Sequence, residues 1–296
     1  MADPAPREVR RSAQAKINLF LRVLGLREDE YHDLETLIVP ISLADEVLCR
    51  EAKSGLSLRV ESPAAGGAGQ PADPLSEGPD NLVVVAALAL AEARPSGLGA
   101  EIVLTKHIPV AAGLGGGSAD AAATLLALNE LWSCGLDDDA LQGVGSLVGS
   151  DVPAMLAGRP VLARGRGVKL ETVEAPLLWW AVVPFDFPVR TPDAYRWWDE
   201  DGDDAPSGPD PAAIIEASAA GDLEALVALM FNDLEAPVFR RHTEVAETKQ
   251  RLLGAGAVGA IMCGSGPTMA GLAADEKAAQ ELATAVPGAL VASSLG

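Results

Sequence analysis

The residues best placed for chemistry lie in PVAAGLGGGSADAA, Pro109 to Ala122, where four glycines occupy the five positions 113–117. A strand-like run, AEIVLTKHI (100–108), leads into this stretch. The run that follows, ADAAATLLALNELW, places Leu125, Leu128, Leu131 and Trp132 at helical spacing. Glycines let a backbone approach a ligand closely and adopt positive φ. The free N–H groups and the dipole at a helix start favour an anion. The pattern therefore predicts a phosphate cradle, with Ser118 either capping the helix or donating to a phosphate. A close-packed turn would account for one glycine, but not for four with a serine and a helix start behind them. Two familiar phosphate motifs do not fit. No Lys follows the glycines as a Walker sequence requires, and a GxGxxG read from Gly113 meets Ser118 where it needs glycine. Neither a P-loop NTPase nor a dinucleotide-binding oxidoreductase is supported.

Other reactive side chains are dispersed, and each has an ordinary explanation when taken alone. In SAQAKINLFLRVL (12–24), Ala13, Ala15, Ile17, Leu19, Leu21 and Val23 alternate with a polar set that only Phe20 and Leu24 interrupt. This is the period of a half-buried strand, and it turns Lys16 and Asn18 to one side, away from the apolar face. Asp151, in GSDVP, has the position of a helix N-cap. Tyr31 and His32 sit in a turn-like segment, and Gly264, Ser265 and Gly266 in CGSGPT form a second glycine turn, by itself a tight hairpin. His32, His107 and His242 lack metal-ligand spacing.

These residues must be held by a sizeable fold. The chain has 296 residues, 49% hydrophobic and 4% aromatic, so the core is mostly Ala, Leu and Val. Its formal charge of −20 comes with no basic stripe, which argues against a nucleic-acid partner. Any anionic substrate must be met by a locally arranged site. Cys49, Cys134 and Cys263 form no CxxC pair and fit a reduced, cytoplasmic protein. The N-terminus lacks the apolar core of a signal peptide. LVVVAALALA (82–91) is too short to span a bilayer and reads as a buried helix capped by Asp80 or Asn81. LETLIVPISL, ADEVLCREA and LSLRV read as further antiparallel strands, 62–80 as a long surface loop, and DDDALQGVGSLVG as a helix with an acidic first turn. Beyond about residue 160 the spacing predicts a strand over 177–185 and a short helix from TPDAYRWW. An acidic solvated loop over 199–211 and helices around 211–231 and 236–253 follow. A strand–Gly turn–strand, a helix over 275–285 and a last strand near 289–292 complete an α+β second half.

The glycine stretch resembles the P-x-x-x-G-L-G-x-S-S-A motif of the GHMP kinases, through Pro109, Gly113, Leu114, Gly115, Gly116, Gly117, Ser118 and Ala119. AKINLFLRVLGLREDEYHDLET (15–36), GSDVP (149–153), FNDLE (231–235) and CGSGPT (263–268) agree with the same family in order and spacing. Glu30 stands where the family has Gly, and Thr191 with Tyr195 fits its Thr-x-x-x-Tyr element. The resemblance implies a two-domain α+β fold divided as 1–160 and 161–296. The first domain would be like domain 2 of ribosomal protein S5, the second a ferredoxin-like plait, with the active site in the interdomain cleft. It implies transfer of a phosphoryl group from ATP, with Mg²⁺, to a hydroxyl of a cytidine diphosphate-linked methylerythritol, on the non-mevalonate route to isoprenoid precursors. Asp151 would be the general base, assisted by Lys16. Pro109, Val110, Ala111, Ala112, Gly113, Leu114, Gly115, Gly116, Gly117, Ser118 and Ala119 would hold the ATP phosphates. Asn18, Tyr31, His32, Gly264, Ser265 and Gly266 would contact the acceptor. No protein metal cage, nucleic acid or membrane partner is implied, and monomer and homodimer both stay open. A sister kinase acting on homoserine or mevalonate, or a nucleotide-binding relative without phosphotransfer, are the competing readings.

Overall fold

The computed structural model describes residues 6–62, 75–94, 97, 99–201 and 208–295. Most of the 62–80 stretch and the middle of 199–211 lie outside the described residues.

Seven strands make the first sheet: β1 (Glu8–Leu26), β2 (His32–Ala52), β3 (Leu56–Glu61), β4 (Gly99–Thr105), β5 (Val161–Gly165), β6 (Lys169–Thr172) and the two-residue β8 (Phe231–Asn232). Its order is β3-β4-β2-β1-β8, with β5 and β6 continuing from the other stretch of β2. The apolar runs expected as separate strands between 34 and 52 are one 21-residue strand. Its far half pairs with β4 and its near half with β5. β5 and β6, which the sequence did not announce, lie past residue 160 and still belong to this sheet.

β1 departs from strict alternation. Bulges fall between Gln14 and Lys16 and between Asn18 and Phe20, one on each side of Lys16–Asn18. An extra residue in a ladder bends the strand and re-aims its side chains. Val9 and Ala13 accordingly pack among helices, whereas Ala15, Ile17 and Leu19 pack against the second sheet. Both faces of the strand are covered, so Lys16 and Asn18 are 4% and 3% exposed rather than on an open polar face.

The helices against the first sheet are α1 (Leu82–Ala93), α2 (Gly116–Leu131), α3 (Asp138–Val148) and the short α4 (Val152–Ala157). Asn81 caps α1 by accepting from the Val83 N–H, and Asp137 caps α3 by accepting from the Ala140 N–H. Leu90, Leu125, Leu128 and Leu131 fill the core against Val47, Ile102 and Leu104.

The second half holds β7 (Trp179–Val183), α5 (Thr191–Asp201), α6 (Pro211–Ala220), α7 (Leu223–Leu229), α8 (Glu235–Arg241), α9 (Thr243–Gly254), β9 (Gly259–Met262), β10 (Met269–Ala273), α10 (Glu276–Ala285) and β11 (Leu290–Ser293). The helix expected over 211–231 is split by Gly221, which ends α6 in the left-handed conformation at φ 66°. The acidic stretch begins inside α5, where Asp201 pairs with Arg240 and Arg241. These guanidiniums, Arg241 first, hold its carboxyl at about 2. The four strands β7, β9, β10 and β11 form an antiparallel sheet in the order β11-β7-β10-β9, that of a ferredoxin-like plait. Ala181 and Val183 face Val245, Leu252, Ala279 and Leu282 of α9 and α10. The alternate residues Trp180 and Val182 face Ile17, Leu37 and Val39 of the first sheet. Among the described residues no helix is long and apolar enough to cross a membrane, and all three cysteines are free and buried.

FNDLE joins the halves. β8 lies parallel to β1, Phe20 opposite Phe231 and Leu21 opposite Asn232. Asp233 donates its N–H to Leu21 C=O (3.0 Å) and accepts from Val23 N–H (2.7 Å). The buried amide of Asn232 donates to the carbonyls of Met262 (2.9 Å) and Gly264 (2.8 Å) and accepts from Leu234 N–H.

Glu30, at the β1–β2 turn, takes φ 63°, so the glycine-type conformation is kept without glycine. A left-handed non-glycine residue costs about 1–2 kcal/mol, against about 0.5–1 kcal/mol for the extra freedom of glycine in the unfolded chain. Glu30→Gly is therefore expected to raise unfolding stability by about 0.5–1 kcal/mol, read from urea denaturation. A lower midpoint would mean that the Glu30 side chain supports the turn.

Candidate active site

Pro109 to Ser118 wall one side of a cleft of about 530 Å³. Helix α2 opens from Gly115, which is left-handed at φ 71° and lends no side-chain cap. Ser118 is thus not the cap considered from the sequence; it lies in the first turn, half-buried, with the cleft beside it. The first helical bond runs from Ala119 N–H to Gly115 C=O (2.9 Å). The N–H groups of 116–118 precede it and have no intrahelical acceptor, the arrangement that receives an anion.

Lys16 lies across this loop. Its backbone N–H donates to Leu114 C=O (3.0 Å), and its ammonium donates to Gly113 C=O (2.7 Å) and Asn18 Oδ1 (2.7 Å). Asn18 Nδ2 donates to Thr36 Oγ1 (2.8 Å), and the Thr36 hydroxyl donates to Phe20 C=O (2.7 Å). These acceptors are uncharged, so the Lys16 charge is anchored but not neutralised.

The second glycine turn closes on the first. A Cβ on Gly113 would stand 1.9 Å from the Cys263 carbonyl oxygen, and one on Gly264 would stand 2.7 Å from Lys16 Nζ. Only hydrogen fits at either position. Ser265 Oγ lies 3.0 Å from Thr191 Oγ1 at the start of α5.

Asp151 also lines the cleft. It occupies the N-cap position of α4 but makes no side-chain cap bond, so its carboxylate does not serve the helix. Tyr195 on α5 also lines the cleft, half-buried; desolvation first, then the carboxylates of Asp151 and Asp233, push its phenol well above the usual range. Arg190 and Thr191 line the same wall.

Lys16, Asn18, Pro109 to Ser118, Asp151, Gly264 and Ser265 thus share one cleft. Ala119 is buried in the core behind the loop, and Gly266 lies behind its turn against Met262. Tyr31 and His32 stand on the β1–β2 turn outside the cleft lining. His32 stacks on Tyr195 (4.8 Å, 26°), and its Nε2 is 2.9 Å from Asp199 Oδ1. Tyr31 is 51% exposed with the Arg166 guanidinium 4.9 Å over its ring. Phe185 packs on Phe187 instead (5.2 Å).

Sequence reasoning missed one charged cluster. Lys106 bonds Asp45 and Asp120 (2.7 Å to the latter), and Asp45 also accepts from the N–H groups of His107 and Ile108. The TKHIP run ahead of the glycines carried the signal, a charged residue at the inner end of an apolar strand. Asp120 is 3% exposed and its Oδ1 has no partner.

Burial raises the Asp120 carboxyl to about 7, with Asp45 adding to burial and Lys106 opposing both. Its folded value lies above its unfolded one, so its contribution to stability is full below about pH 4 and is lost as pH rises through 7. The stability of the native chain minus that of Asp120→Asn should therefore fall between pH 4 and 7, measured by denaturation across that range. A flat difference would mean that Asp120 ionises normally.

Residues 81–159 match the family described as GHMP kinases N terminal domain, and residues 214–292 match GHMP kinases C terminal. The chain is 45% identical over 273 residues to the 4-diphosphocytidyl-2-C-methyl-D-erythritol kinase of Pelotomaculum thermopropionicum, covering 92% of this chain and 91% of the relative. It is 41% identical over 274 residues to the enzyme of that name from Moorella thermoacetica, covering 92% of each. The crystal structure of a 4-(cytidine 5'-diphospho)-2C-methyl-D-erythritol kinase superposes with a TM-score of 0.81 at 36% identity, over 97% of this chain and all (100%) of that one. Homoserine kinase from Cytophaga hutchinsonii shares the fold at 20% identity, TM-score 0.72, over 100% of this chain and 96% of that one. A phosphate-type glycine loop, a buried lysine and a cleft carboxylate between a mixed sheet and a ferredoxin-like plait thus agree with both matches: the chain belongs to the GHMP kinase family.

Proposed function

We propose that this kinase transfers the γ-phosphoryl group of ATP to the 2-hydroxyl of 4-diphosphocytidyl-2-C-methyl-D-erythritol, on the non-mevalonate route to isoprenoid precursors. The observation that carries the reading is the meeting of Lys16, Asp151 and the glycine loop in one cleft, in a chain whose relatives bear that enzyme's name.

In the proposed reaction the N–H groups of the glycine loop and α2 hold the ATP phosphates, with the Ser118 hydroxyl adding a donor. Mg²⁺, arriving with the nucleotide and held mainly by phosphate oxygens and water, would neutralise phosphate charge. The acceptor lies on the α5 side of the cleft, its 2-hydroxyl directed at Asp151. Asp151 takes the hydroxyl proton as the oxygen attacks the γ-phosphorus, and ADP leaves. Lys16, fixed on neutral acceptors, stabilises the charge developing on the phosphoryl oxygens.

Base recognition falls to the β1–β2 turn. Tyr31 offers an exposed ring for stacking, and His32 an imidazole or backbone edge for a pyrimidine. The His32–Tyr195 contact brings α5 against that turn, which makes Tyr195 part of the same subsite. The division of the chain into domains at about residue 160 remains our working scheme, with β5 and β6 as the extension linking the parts.

The test is ADP release with Mg-ATP and 4-diphosphocytidyl-2-C-methyl-D-erythritol, run beside homoserine and mevalonate. ADP formation dependent on the cytidyl compound alone is the expected result. Activity with another alcohol would move the chain to a sister kinase. Asp151→Ala is expected to retain fold and ADP binding while turnover falls on the order of 10²–10⁴-fold, the contribution of a general base. Near-native turnover in that variant would remove Asp151 from the role.

A further inference from the structure

The cleft must accept two polyanions in a chain of net charge −20, so its cations carry information. Lys16, Lys106 and Arg190 line it. Lys106 is matched by Asp45 and Asp120 and has no charge to spare. Lys16 is anchored between the glycine turns, at the phosphate loop. Arg190 lines the cleft from the entry of α5, exposed, and among the described residues its guanidinium makes no ion pair or hydrogen bond. Among the described residues the other arginines are partnered, Arg22, Arg164, Arg240 and Arg241 by carboxylates and Arg94 and Arg166 by carbonyls, for example.

Its backbone, by contrast, is fixed. The Arg190 carbonyl accepts from the N–H groups of Asp193 (2.9 Å) and Ala194 (3.1 Å), setting the residue at the entry of α5. The next residue, Thr191, is tied to Ser265 of the second glycine turn, and one turn further Tyr195 faces the cleft and stacks on His32. The side chain therefore starts from a rigid point between the centre of the cleft and the β1–β2 turn. A guanidinium matches phosphate oxygens in a bidentate fork that a lysine cannot copy.

We propose that Arg190 is a specificity-determining residue that grips the diphosphate of the acceptor. The assignment rests on the acceptor reading given above. The glycine loop offers the nucleotide phosphates main-chain donors of their own. Of the cations lining the cleft, Arg190 alone has no bonded partner among the described residues, and Arg166, which also lacks a carboxylate partner, lies outside that lining over the Tyr31 ring.

The experiment is calorimetric binding of CDP, cytidine and ADP to the native chain, Arg190→Ala and Arg190→Lys, with steady-state kinetics on each. Arg190 is exposed, so its truncation should leave the fold intact, which circular dichroism checks. The native chain should bind CDP more tightly than cytidine. Arg190→Ala should lose about 10–100-fold of CDP affinity, the worth of hydrogen bonds to a charged group, with cytidine and ADP affinities unchanged within about twofold. KM for the acceptor should rise similarly while KM for ATP holds, and Arg190→Lys should recover part of the loss. Loss of ADP affinity with CDP binding intact would overturn the proposal in favour of a nucleotide contact. A fall in kcat at unchanged acceptor KM would overturn it in favour of the transferred phosphoryl group. Undiminished CDP binding by Arg190→Ala, in a native chain that phosphorylates the cytidyl acceptor, would sink this inference alone. Failure of the native chain to use that acceptor would sink the reading beneath it.

Discussion

One buried ammonium organises this molecule. Removing a lysine from water is costly unless its protons find acceptors, and Lys16 finds them in Gly113 C=O and Asn18 Oδ1. Both acceptors belong to parts that must themselves be exact in position: the phosphate loop and a strand held between two bulges. Gly113 in turn touches Cys263, and Gly264 touches Lys16. The ammonium, the first glycine turn and the second are thus three pieces of one contact. Asn232 seals it from behind by taking up the carbonyls on either side of Cys263.

The electrostatics follow from the choice of partners. Had Lys16 been matched by a carboxylate, its charge would be cancelled and only the loop N–H groups and Arg190 would remain to attract an anion. Lys106 has that fate, held between Asp45 and Asp120, and its role is to shape the root of the loop. Two lysines, one in β1 and one just past β4, therefore differ because one has neutral acceptors and the other charged ones.

Much of the architecture could be read from the chain because helices and their caps are local. Asn81, Asp137 and Asp275 each cap the helix that follows them, and the apolar spacing behind them is helical. The glycine turns, Asp151 and Lys16 were legible through motif spacing. What escaped depends on contacts distant in sequence. The burial of Lys16 and Asn18 comes from two bulges and a second sheet that no periodicity within 12–24 reveals. The continuity of β2 comes from serving different partners along its length, and the pairing of Lys106 from residues 61 and 14 positions away. Serine favours the cap position, one of the two roles open to Ser118, but the left-handed Gly115 takes that position three residues earlier. Arg190 carries no motif at all, and only its place at the cleft gives it meaning.

The two walls of the cleft are made of different material. At the glycine turns main chain meets main chain or Lys16 so closely that Gly113 and Gly264 have no room for a Cβ as the groups stand. At the start of α5 the cleft is lined instead by the side chains of Arg190, Thr191 and Tyr195, with His32 stacked on Tyr195. A side chain added to the main-chain wall must displace backbone, as the 1.9 Å approach at Gly113 requires, whereas a changed side chain at exposed Arg190 or Thr191 meets open space, so the two walls differ in how much of the fold one substitution moves.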